Sequence, residues 1–303
     1  MSKSKVVIPL VLAVAAAGYF YAPARLFALK AVGRSPYCPL GNAIEAQHNF
    51  DEQVRWRDEI LKGSRVVEKD PAGYHLVETP RGRWWIPAGN DFVLPYNLAE
   101  MARQVYGTGE FGVHQGDIVL DCGGNVGTWT RIALDAGAAM VVAFEPAPEN
   151  IESYRRNFQK EIAAGRVVLV PKGVWNKEDT LLLRRDPNNS AADSFVMLQD
   201  RDATGAVQAP LTTIDHAMAE LKLPRVDYIK MDVEGAEEKA IEGARETIAK
   251  FHPRMSVAAE HSQADGHLIP AAVRRIWPGY TLTCGPCLET TDAHIRPDIL
   301  YFR

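Results

Sequence analysis

The sequence predicts an α/β fold built on a mostly parallel sheet with helices on both faces. Three observations support this prediction. Apolar strand-like segments alternate with amphipathic segments from residue 118 onward, a glycine-rich turn follows the first strand, and an acidic residue follows the second. Such alternation is typical of parallel sheets, because each parallel connection needs a crossover that is usually a helix. A chain of 303 residues has room for one such domain and further segments.

The individual elements follow from the spacing of apolar residues. Strands are predicted at 118–121, 140–144, 167–170, 226–231 and 255–259, and helices at 126–137, 148–160, 235–250 and 268–277. Between 171 and 213 the alternation stops, and the sequence predicts an inserted hairpin, from 173–176 to 180–184, followed by a polar loop. Two closing strands are expected at 281–283 and 299–302.

A separate cap is predicted before the first strand of this sheet. Residues 43–62 have helical spacing, a hairpin spans 74–86 around Pro80-Arg81-Gly82, and a second helix covers 92–106. These elements predict three segments: a membrane anchor with its flank, a linker with an α/β cap, and a cofactor-binding domain. The predicted bounds are 1–33, 34–110 and 111–303.

Residues 6–22 form an almost uncharged run. Its length is at the short end for a membrane-spanning helix, and basic residues flank both sides, so we predict one N-terminal membrane anchor. Arg25, Lys30 and Arg34 after the run favour a cytoplasmic catalytic domain. A cleaved signal peptide is the alternative, although Pro23 in the expected cleavage site disfavours it. A helix lying on the membrane surface is a weaker alternative, because the run lacks a polar face.

Composition restricts the class of partner. The formal net charge of −4 provides no overall basic surface, so nucleic acid is not an expected partner. Four cysteines do not predict a disulfide framework in a chain of this length. Cys284-Gly-Pro-Cys287 has the spacing of a redox pair, but it lies between two short strand-like runs near the C-terminus, so we interpret it as a turn with incidental thiols.

The glycine-rich turn predicts a cofactor site. The segment from Asp121 to Gly127 reads DCGGNVG and connects a buried strand to a helix, where glycines let the backbone approach a ligand closely. The next strand ends at Glu145, an acid that suits a ribose diol. Trp175 follows the third strand, where an adenine ring could stack.

A second cluster of acids predicts where chemistry takes place. Asp232 and Glu260 end two further strands, and ligands of open α/β sheets bind beyond these carboxyl ends. His261 is a candidate general base, because its ordinary pKa lies near neutrality. Asp232, Glu260 and His261 could instead hold a divalent cation such as magnesium or manganese. For Glu237, stabilisation of a helix N-terminus is an equally good interpretation.

These motifs together resemble the FkbM-type methyltransferases. The resemblance rests on GDIVLDCGGNVG (116–127) with AFEPAPEN (143–150), LTTIDHAM (211–218) and DYIKMDVEGAE (227–237), and it covers roughly residues 92–303. It implies a Rossmann-like class I methyltransferase fold with a seven-stranded sheet and an antiparallel last strand. The turn reads Gly-Gly-Asn-Val-Gly and departs from the G-x-G-x-x-G of dehydrogenases, which disfavours a nicotinamide cofactor.

The resemblance also implies the activity and the roles of residues. It implies transfer of a methyl group from S-adenosylmethionine to a hydroxyl of a sugar, glycolipid or natural product, with a small-molecule, glycan or lipid-linked acceptor. The cofactor would contact Asp121, Gly123, Gly124, Asn125, Gly127 and Glu145. The acceptor would face Asp232, Glu234, Glu260 and His261, with Asp232 or His261 as base. The alternatives are a non-catalytic binding protein that kept the fold and a nucleotide-dependent oxidoreductase.

Overall fold

The computed structural model describes residues 18, 21–186, 189–197 and 205–303. Its N-terminal part contains helices and one antiparallel sheet, close to the predicted cap. In chain order these are α1 (Ala22–Ala31), α2 (Leu40–Ile44), α3 (Ala46–Lys62), β1 (Arg65–Asp70), β2 (Tyr74–Thr79), β3 (Gly82–Pro87) and α4 (Val93–Arg103). The strands pair in the order β1-β2-β3. The division of the chain into three segments stays a prediction.

From residue 118 onward strands and helices alternate. The elements are β4 (Ile118–Cys122), α5 (Thr128–Asp135), β5 (Met140–Phe144), α6 (Pro148–Asn157), α7 (Gln159–Ala163), β6 (Val167–Val170), β7 (Gly173–Val174), β8 (Asp179–Leu183), β9 (Val207–Thr212), α8 (Ile214–Glu220), β10 (Tyr228–Met231), α9 (Glu237–Glu242), α10 (Arg245–Phe251), β11 (Arg254–Ala258), α11 (Asp265–Ile276), β12 (Leu282–Cys284), β13 (Cys287–Glu289), β14 (Ile295–Pro297) and β15 (Ile299–Phe302).

Seven of these strands form one mixed sheet in the order β6-β5-β4-β10-β11-β15-β12. The first five run parallel, and β15 runs antiparallel to both β11 and β12. The predicted α/β fold with an antiparallel last strand is therefore confirmed. Because β5, β4 and β10 are parallel neighbours, the residues that follow them meet at one edge of the sheet.

Both faces of the sheet are buried. One face carries a core with large aromatic side chains, among them Trp129, Tyr154, Phe158 and Tyr228. The opposite face buries aliphatic side chains together with Phe144 and Phe302. The strands are apolar along nearly their whole length because helices cover both of their sides.

The insertion between β6 and β10 differs from the prediction. Residues 173–174 and 179–183 do not pair with each other as a hairpin. Both pair instead with β9, β7 in parallel and β8 in antiparallel orientation, to form a separate three-stranded sheet. The partner strand begins at Val207, more than twenty residues after β8 ends, so a local pattern could not reveal this pairing.

The predicted membrane anchor over residues 6–22 lies outside the described residues except for residues 18, 21 and 22. Among the helices of the described part, none combines the length and the apolar character needed to cross a membrane. The prediction of a single-pass membrane protein with a cytoplasmic catalytic domain is therefore wrong. The basic residues of α1 contact the protein: Arg25 donates to Glu289 at 2.6 Å, and Lys30 donates to the carbonyl oxygens of Ser35 and Cys38.

The interpretation of the cysteines is also corrected. Cys38 and Cys287 form a disulfide that joins residues 249 positions apart in the sequence. Cys122 in β4 is free and buried, and Cys284 is free and half-buried. Pairing over such a separation depends on the folded chain, and the sequence alone contains no signal for it.

Candidate active site

One cavity of about 520 Å³ lies above the carboxyl ends of β4, β5 and β10. Helix α4 covers it from one side, and residues 189–195 of the insertion cover it from another. The volume falls in the range usual for small-molecule sites. Predicted site residues that line it are Gly123, Gly124, Asn125, Glu145, Asp232, Glu234, Glu260 and His261.

The glycine-rich turn forms one wall of this cavity. Gly123 has φ of 83°, and a Cβ atom there would lie 1.8 Å from the backbone oxygen of Asp232. The amides of Gly123 and Gly124 both donate to the carbonyl oxygen of Phe144. Only glycine allows this conformation and this contact together. The turn after β4 therefore packs directly on the residue that follows β10.

Glu145 fixes the next part of the turn. One of its carboxylate oxygens accepts a hydrogen bond from the backbone N–H of Asn125 at 2.7 Å, and the other accepts one from Ala147 at 2.9 Å. Burial raises the pKa of Glu145 to about 7, although these backbone hydrogen bonds act in the opposite direction. Asn125 has φ of 47° and donates from its side chain to the carbonyl oxygen of Ser190.

Asp121 and Gly127 support the turn from behind the cavity wall. Asp121 is fully buried and accepts a hydrogen bond from the hydroxyl of Thr130 at 2.7 Å. A Cβ atom on Gly127 would lie 2.1 Å from the ring of Phe158. Neither residue is among the described residues that line the cavity. Both residues thus stabilise the turn, and their direct contact with a cofactor stays a prediction.

Trp175 lies next to the cavity wall, and its predicted contact with the cofactor stays a prediction. Its ring packs edge-to-face against Phe195 with ring centroids 6.4 Å apart. Phe195 lines the cavity, whereas Trp175 is absent from the described lining. The aromatic side chain at this part of the wall is therefore Phe195. The sequence did not indicate it, because Phe195 lies in an irregular segment whose path depends on the inserted sheet.

Lys230 is a site residue that the sequence analysis missed. Its ammonium group is buried, lies 3.5 Å from Asp121 and 3.9 Å from Asp232, and donates to the carbonyl oxygen of Gly123 at 2.8 Å. One cation thus lies close to the carboxylates of Asp121, which is in β4, and Asp232, which follows the neighbouring strand β10. The available signal was a lysine inside the apolar strand Tyr-Ile-Lys-Met, because a buried lysine needs anionic partners.

The carboxylate of Asp232 has one hydroxyl donor and two cationic neighbours, Lys230 and His261. The hydroxyl of Tyr106 donates to it at 2.5 Å. Burial would raise the pKa of Asp232, but Lys230, His261 and the Tyr106 hydrogen bond together hold it below its ordinary value. Asp232 is therefore an ionised carboxylate at neutral pH. Tyr106 was missed because it lies at the end of the cap, far from Asp232 in the sequence.

His261 lies among three carboxylates. Its Nδ1 atom is 3.2 Å from Glu237, and its Nε2 atom is 3.5 Å from Glu234 and 3.6 Å from Asp232. Burial acts to lower the pKa of His261, but the carboxylates outweigh it and raise the pKa well above its ordinary value. His261 is therefore a cation at neutral pH. Glu237, left between two interpretations by the sequence, is a partner of this imidazolium.

Further acidic residues line the cavity. Burial raises the pKa of Glu234 to about 8 and that of Asp298 to about 6. It also raises the pKa of Glu100 well above its ordinary value. Glu260 lines the same cavity and is solvent-exposed. Crowded carboxyl groups favour a ligand that donates hydrogen bonds or carries positive charge.

A divalent cation stays a prediction, with a changed set of residues. Single ligand atoms of Asp232, Glu234 and His261 lie within 4.8 Å of one another, close enough for one ion. The sequence analysis had named Glu260 in place of Glu234. Glu234 reaches this position because it adopts a left-handed backbone, with φ of 54°.

The family model for the methyltransferase FkbM domain matches residues 121–276, which is just over half of the chain. Among curated proteins, the chain is 26% identical over 207 residues to the 31-O-demethyl-FK506 methyltransferase FkbM of Streptomyces tacrolimicus. That match covers 59% of this chain and 79% of the relative. Methyltransferase 1 of Beauveria bassiana is 28% identical over 143 residues, covering 41% of this chain and 57% of that protein.

Solved structures include a methyltransferase FkbM from Methylobacillus flagellatus. It is 15% identical, with a TM-score of 0.45, and the match covers 84% of this chain and 59% of that chain. The structure of Trm5b from Pyrococcus abyssi is 13% identical, with a TM-score of 0.42, and the match covers 78% of this chain and 57% of that chain.

Proposed function

Because this chain belongs to the FkbM methyltransferase family, we propose that it transfers a methyl group from S-adenosylmethionine to a hydroxyl group of an acceptor. One observation carries the proposal. The same cavity is lined by the glycine-rich turn, by Glu145 and by the ionised Asp232. A methyl transfer needs this arrangement, because donor and acceptor must be held in line within one site.

The residues at the donor end fit S-adenosylmethionine. Gly123 and Gly124 present backbone without side chains to the cavity, as close approach of an amino-acid group requires. Glu145 stands at the cavity wall with a carboxylate that could accept hydrogen bonds from ribose hydroxyls. S-adenosylmethionine, when bound, supplies a methyl group on a positively charged sulfur. The carboxylates around the cavity suit that charge.

We assign the role of base to Asp232. It is ionised at neutral pH, so it can accept the hydroxyl proton, whereas the positively charged His261 cannot. Tyr106 and Lys230 hold the Asp232 carboxylate in place. His261 then acts as a positioning residue whose charge keeps Asp232 ionised. Glu260 precedes His261 in the sequence and also lines the cavity. We assign Glu260 to contact with the acceptor.

The acceptor is proposed to be a hydroxyl-rich sugar or natural product. Glu100, Glu234, Glu260 and Asp298 line the cavity, and carboxyl groups accept hydrogen bonds from hydroxyls in both protonation states. One relative is named for methylating 31-O-demethyl-FK506, which supports an oxygen acceptor. A lipid-linked acceptor is not proposed, because it was inferred from the predicted membrane anchor.

Cofactor identity is tested by ligand-dependent melting. S-adenosylhomocysteine at one hundred times its Kd should stabilise the folded protein by about 2.7 kcal/mol, whereas NAD and NADH should leave the Tm unchanged. Stabilisation by NAD or NADH alone would contradict the proposal and favour an oxidoreductase. Activity is then sought by incubating the protein with radiolabelled S-adenosylmethionine and a panel of polyhydroxylated acceptors.

The assignment of the base is tested with Asp232→Asn. We expect kcat to fall by about 10²–10⁴-fold, because the variant lacks the proton acceptor. Affinity for S-adenosylhomocysteine should change less than threefold. Glu238→Gln is the matched control, since Glu238 lies in the same segment but is absent from the described cavity lining. Retention of more than a tenth of kcat by Asp232→Asn would rule out this role.

His261→Gln separates positioning from proton transfer. Loss of the imidazolium should raise the pKa of Asp232, because His261 helps to lower it. The acidic limb of the kcat profile should therefore move to higher pH while activity persists above it. An unchanged profile would mean that His261 does not act through Asp232.

A further inference from the structure

A cluster of three cysteines lies outside the cavity and has no part in the proposed methyl transfer. Cys38 and Cys287 are joined by a disulfide, and the free sulfur of Cys284 lies 3.7 Å from that of Cys287. The sulfur atoms of all three cysteines lie within 4.8 Å of one another. A free thiol in contact with a disulfide is the arrangement from which thiol–disulfide exchange proceeds.

We propose that Cys38, Cys284 and Cys287 form a thiol–disulfide exchange site in which Cys284 attacks Cys287 and releases Cys38. The Cys284 thiolate forms a new bond to the sulfur of Cys287, and the bond between Cys287 and Cys38 breaks. Cys38 leaves as a thiolate and takes up the proton that Cys284 lost. The number of disulfides stays the same, so the step needs no oxidant or reductant.

The surrounding chain allows a pairing between Cys284 and Cys287. The two residues flank a Gly-Pro turn between β12 and β13, and two residues separate them, the spacing of redox-active cysteine pairs. Asn42 donates to the carbonyl oxygens of Cys284 and Gly285. Asn49 donates to the carbonyl oxygen of Cys287. These hydrogen bonds hold the turn in place without involving any sulfur.

Exchange would change how the N-terminal helix is attached. In the disulfide form, Cys38 links the segment that contains α1 covalently to β13. After exchange this link is gone. The segment then depends on non-covalent contacts, among them packing of the buried Leu26, the ion pair of Arg25 with Glu289 and the hydrogen bond from the Ile295 N–H to the carbonyl oxygen of Arg34. The exchange site is therefore a switch for the covalent attachment of this segment.

The electrostatic surroundings determine the rate. Burial raises the pKa of the Cys284 thiol to about 11, with Lys30 of α1 lowering it and Asp298, next to β15, raising it. Cys284 is thus protonated at neutral pH and is a slow nucleophile. Because only the thiolate attacks, the exchange rate should rise about tenfold for each unit of increase in pH, up to the pKa of Cys284.

The test follows the position of the free thiols in the full-length oxidised protein. Samples are held at pH 7, 8 and 9 without added thiol, quenched with acid, unfolded and alkylated, and the labelled cysteines are identified by mass spectrometry. Cys122 is free in both isomers and serves as the internal reference. We expect label to move from Cys284 to Cys38, about tenfold faster at pH 8 than at pH 7.

Two variants complete the experiment. Cys284→Ser removes the nucleophile, so Cys38 should remain unlabelled at every pH. Cys38→Ser, oxidised so that Cys284 and Cys287 form a disulfide, mimics the exchanged isomer, and trypsin should cleave it faster at Lys30 and Arg34 than the wild-type protein. Label that stays on Cys284 at pH 9, moves to Cys287, or marks all four cysteines after oxidation would overturn the proposal. Label on Cys38 in Cys284→Ser would do the same.

Discussion

Replacement of Lys230 by methionine is expected to destabilise the fold by up to about 4 kcal/mol at pH 7. Methionine keeps most of the volume of the side chain but removes its charge. In the native protein the ammonium group lies 3.5 Å from Asp121 and 3.9 Å from Asp232, and Asp121 is fully buried. The variant would leave both carboxylates without a shared cation, and that of Asp121 has no access to water.

The magnitude follows from how the variant neutralises the carboxylate charge that Lys230 balances in the native protein. Its cheapest response is to protonate Asp121, whose ordinary pKa is about 3.9, and each pH unit above that value costs about 1.4 kcal/mol. Burial already raises the pKa of Asp121 in the wild-type protein, although Lys230 and Thr130 oppose this rise, so the cost is at most about 4 kcal/mol at pH 7 and about 1.5 kcal/mol at pH 5. The folded variant binds a proton that the unfolded chain does not, so its deficit grows as pH rises.

Urea unfolding followed by tryptophan fluorescence at pH 5 and pH 7 measures this deficit. Lys239→Met is the matched control, because Lys239 forms an exposed pair with Glu242 and should contribute less than about 1 kcal/mol. The double variant Lys230→Met with Asp121→Asn should recover most of the stability and lose the pH dependence. The amide of asparagine can still accept the hydrogen bond from Thr130.

Two results would refute this reasoning. A deficit below about 1 kcal/mol at pH 7 would mean that the carboxylates are solvated or paired in another way. A deficit of equal size at pH 5 and pH 7 would mean that lost packing, rather than unpaired charge, destabilises the variant. In either case Lys230 would not be the residue that holds Asp232 in its ionised state.

Two further predictions concern the donor end of the cavity. Gly123→Ala should destabilise the fold by more than about 2 kcal/mol in urea unfolding, because the left-handed backbone alone costs about 1–2 kcal/mol and the new Cβ atom would meet a backbone oxygen. Gly124→Ala, whose nearest neighbours lie at 3.3 Å, should cost clearly less, and equal losses would contradict the explanation. With the pKa of Glu145 near 7, wild-type affinity for S-adenosylhomocysteine should increase from pH 6 to pH 8 in calorimetry. Glu145→Gln should show affinity about tenfold lower at pH 8 and a weaker dependence on pH, and a dependence as strong as that of the wild-type protein would exclude Glu145 as its origin.

The alternating part of the fold was predictable from sequence because its signals are local. Each strand of the parallel sheet is an apolar run between turns, and each crossover helix has its own periodicity. The carboxyl ends of such strands share one edge, so Asp232 could be placed near the glycine-rich turn and Glu145 without a structure. The inserted sheet escaped prediction because β7 and β8 pair with β9, far along the chain.

The sequence by itself determined the parallel part of the sheet and the turn that lines the cavity, and its resemblance to a family implied the antiparallel last strand. Only the tertiary structure decided what the acids do. It brought Tyr106 from the cap to Asp232 and surrounded His261 with carboxylates, so that the candidate base became a cation. It also joined Cys38 to Cys287 across most of the chain. Periodicity along a chain records which side of an element is buried, whereas pKa values and disulfides depend on which distant residues become neighbours.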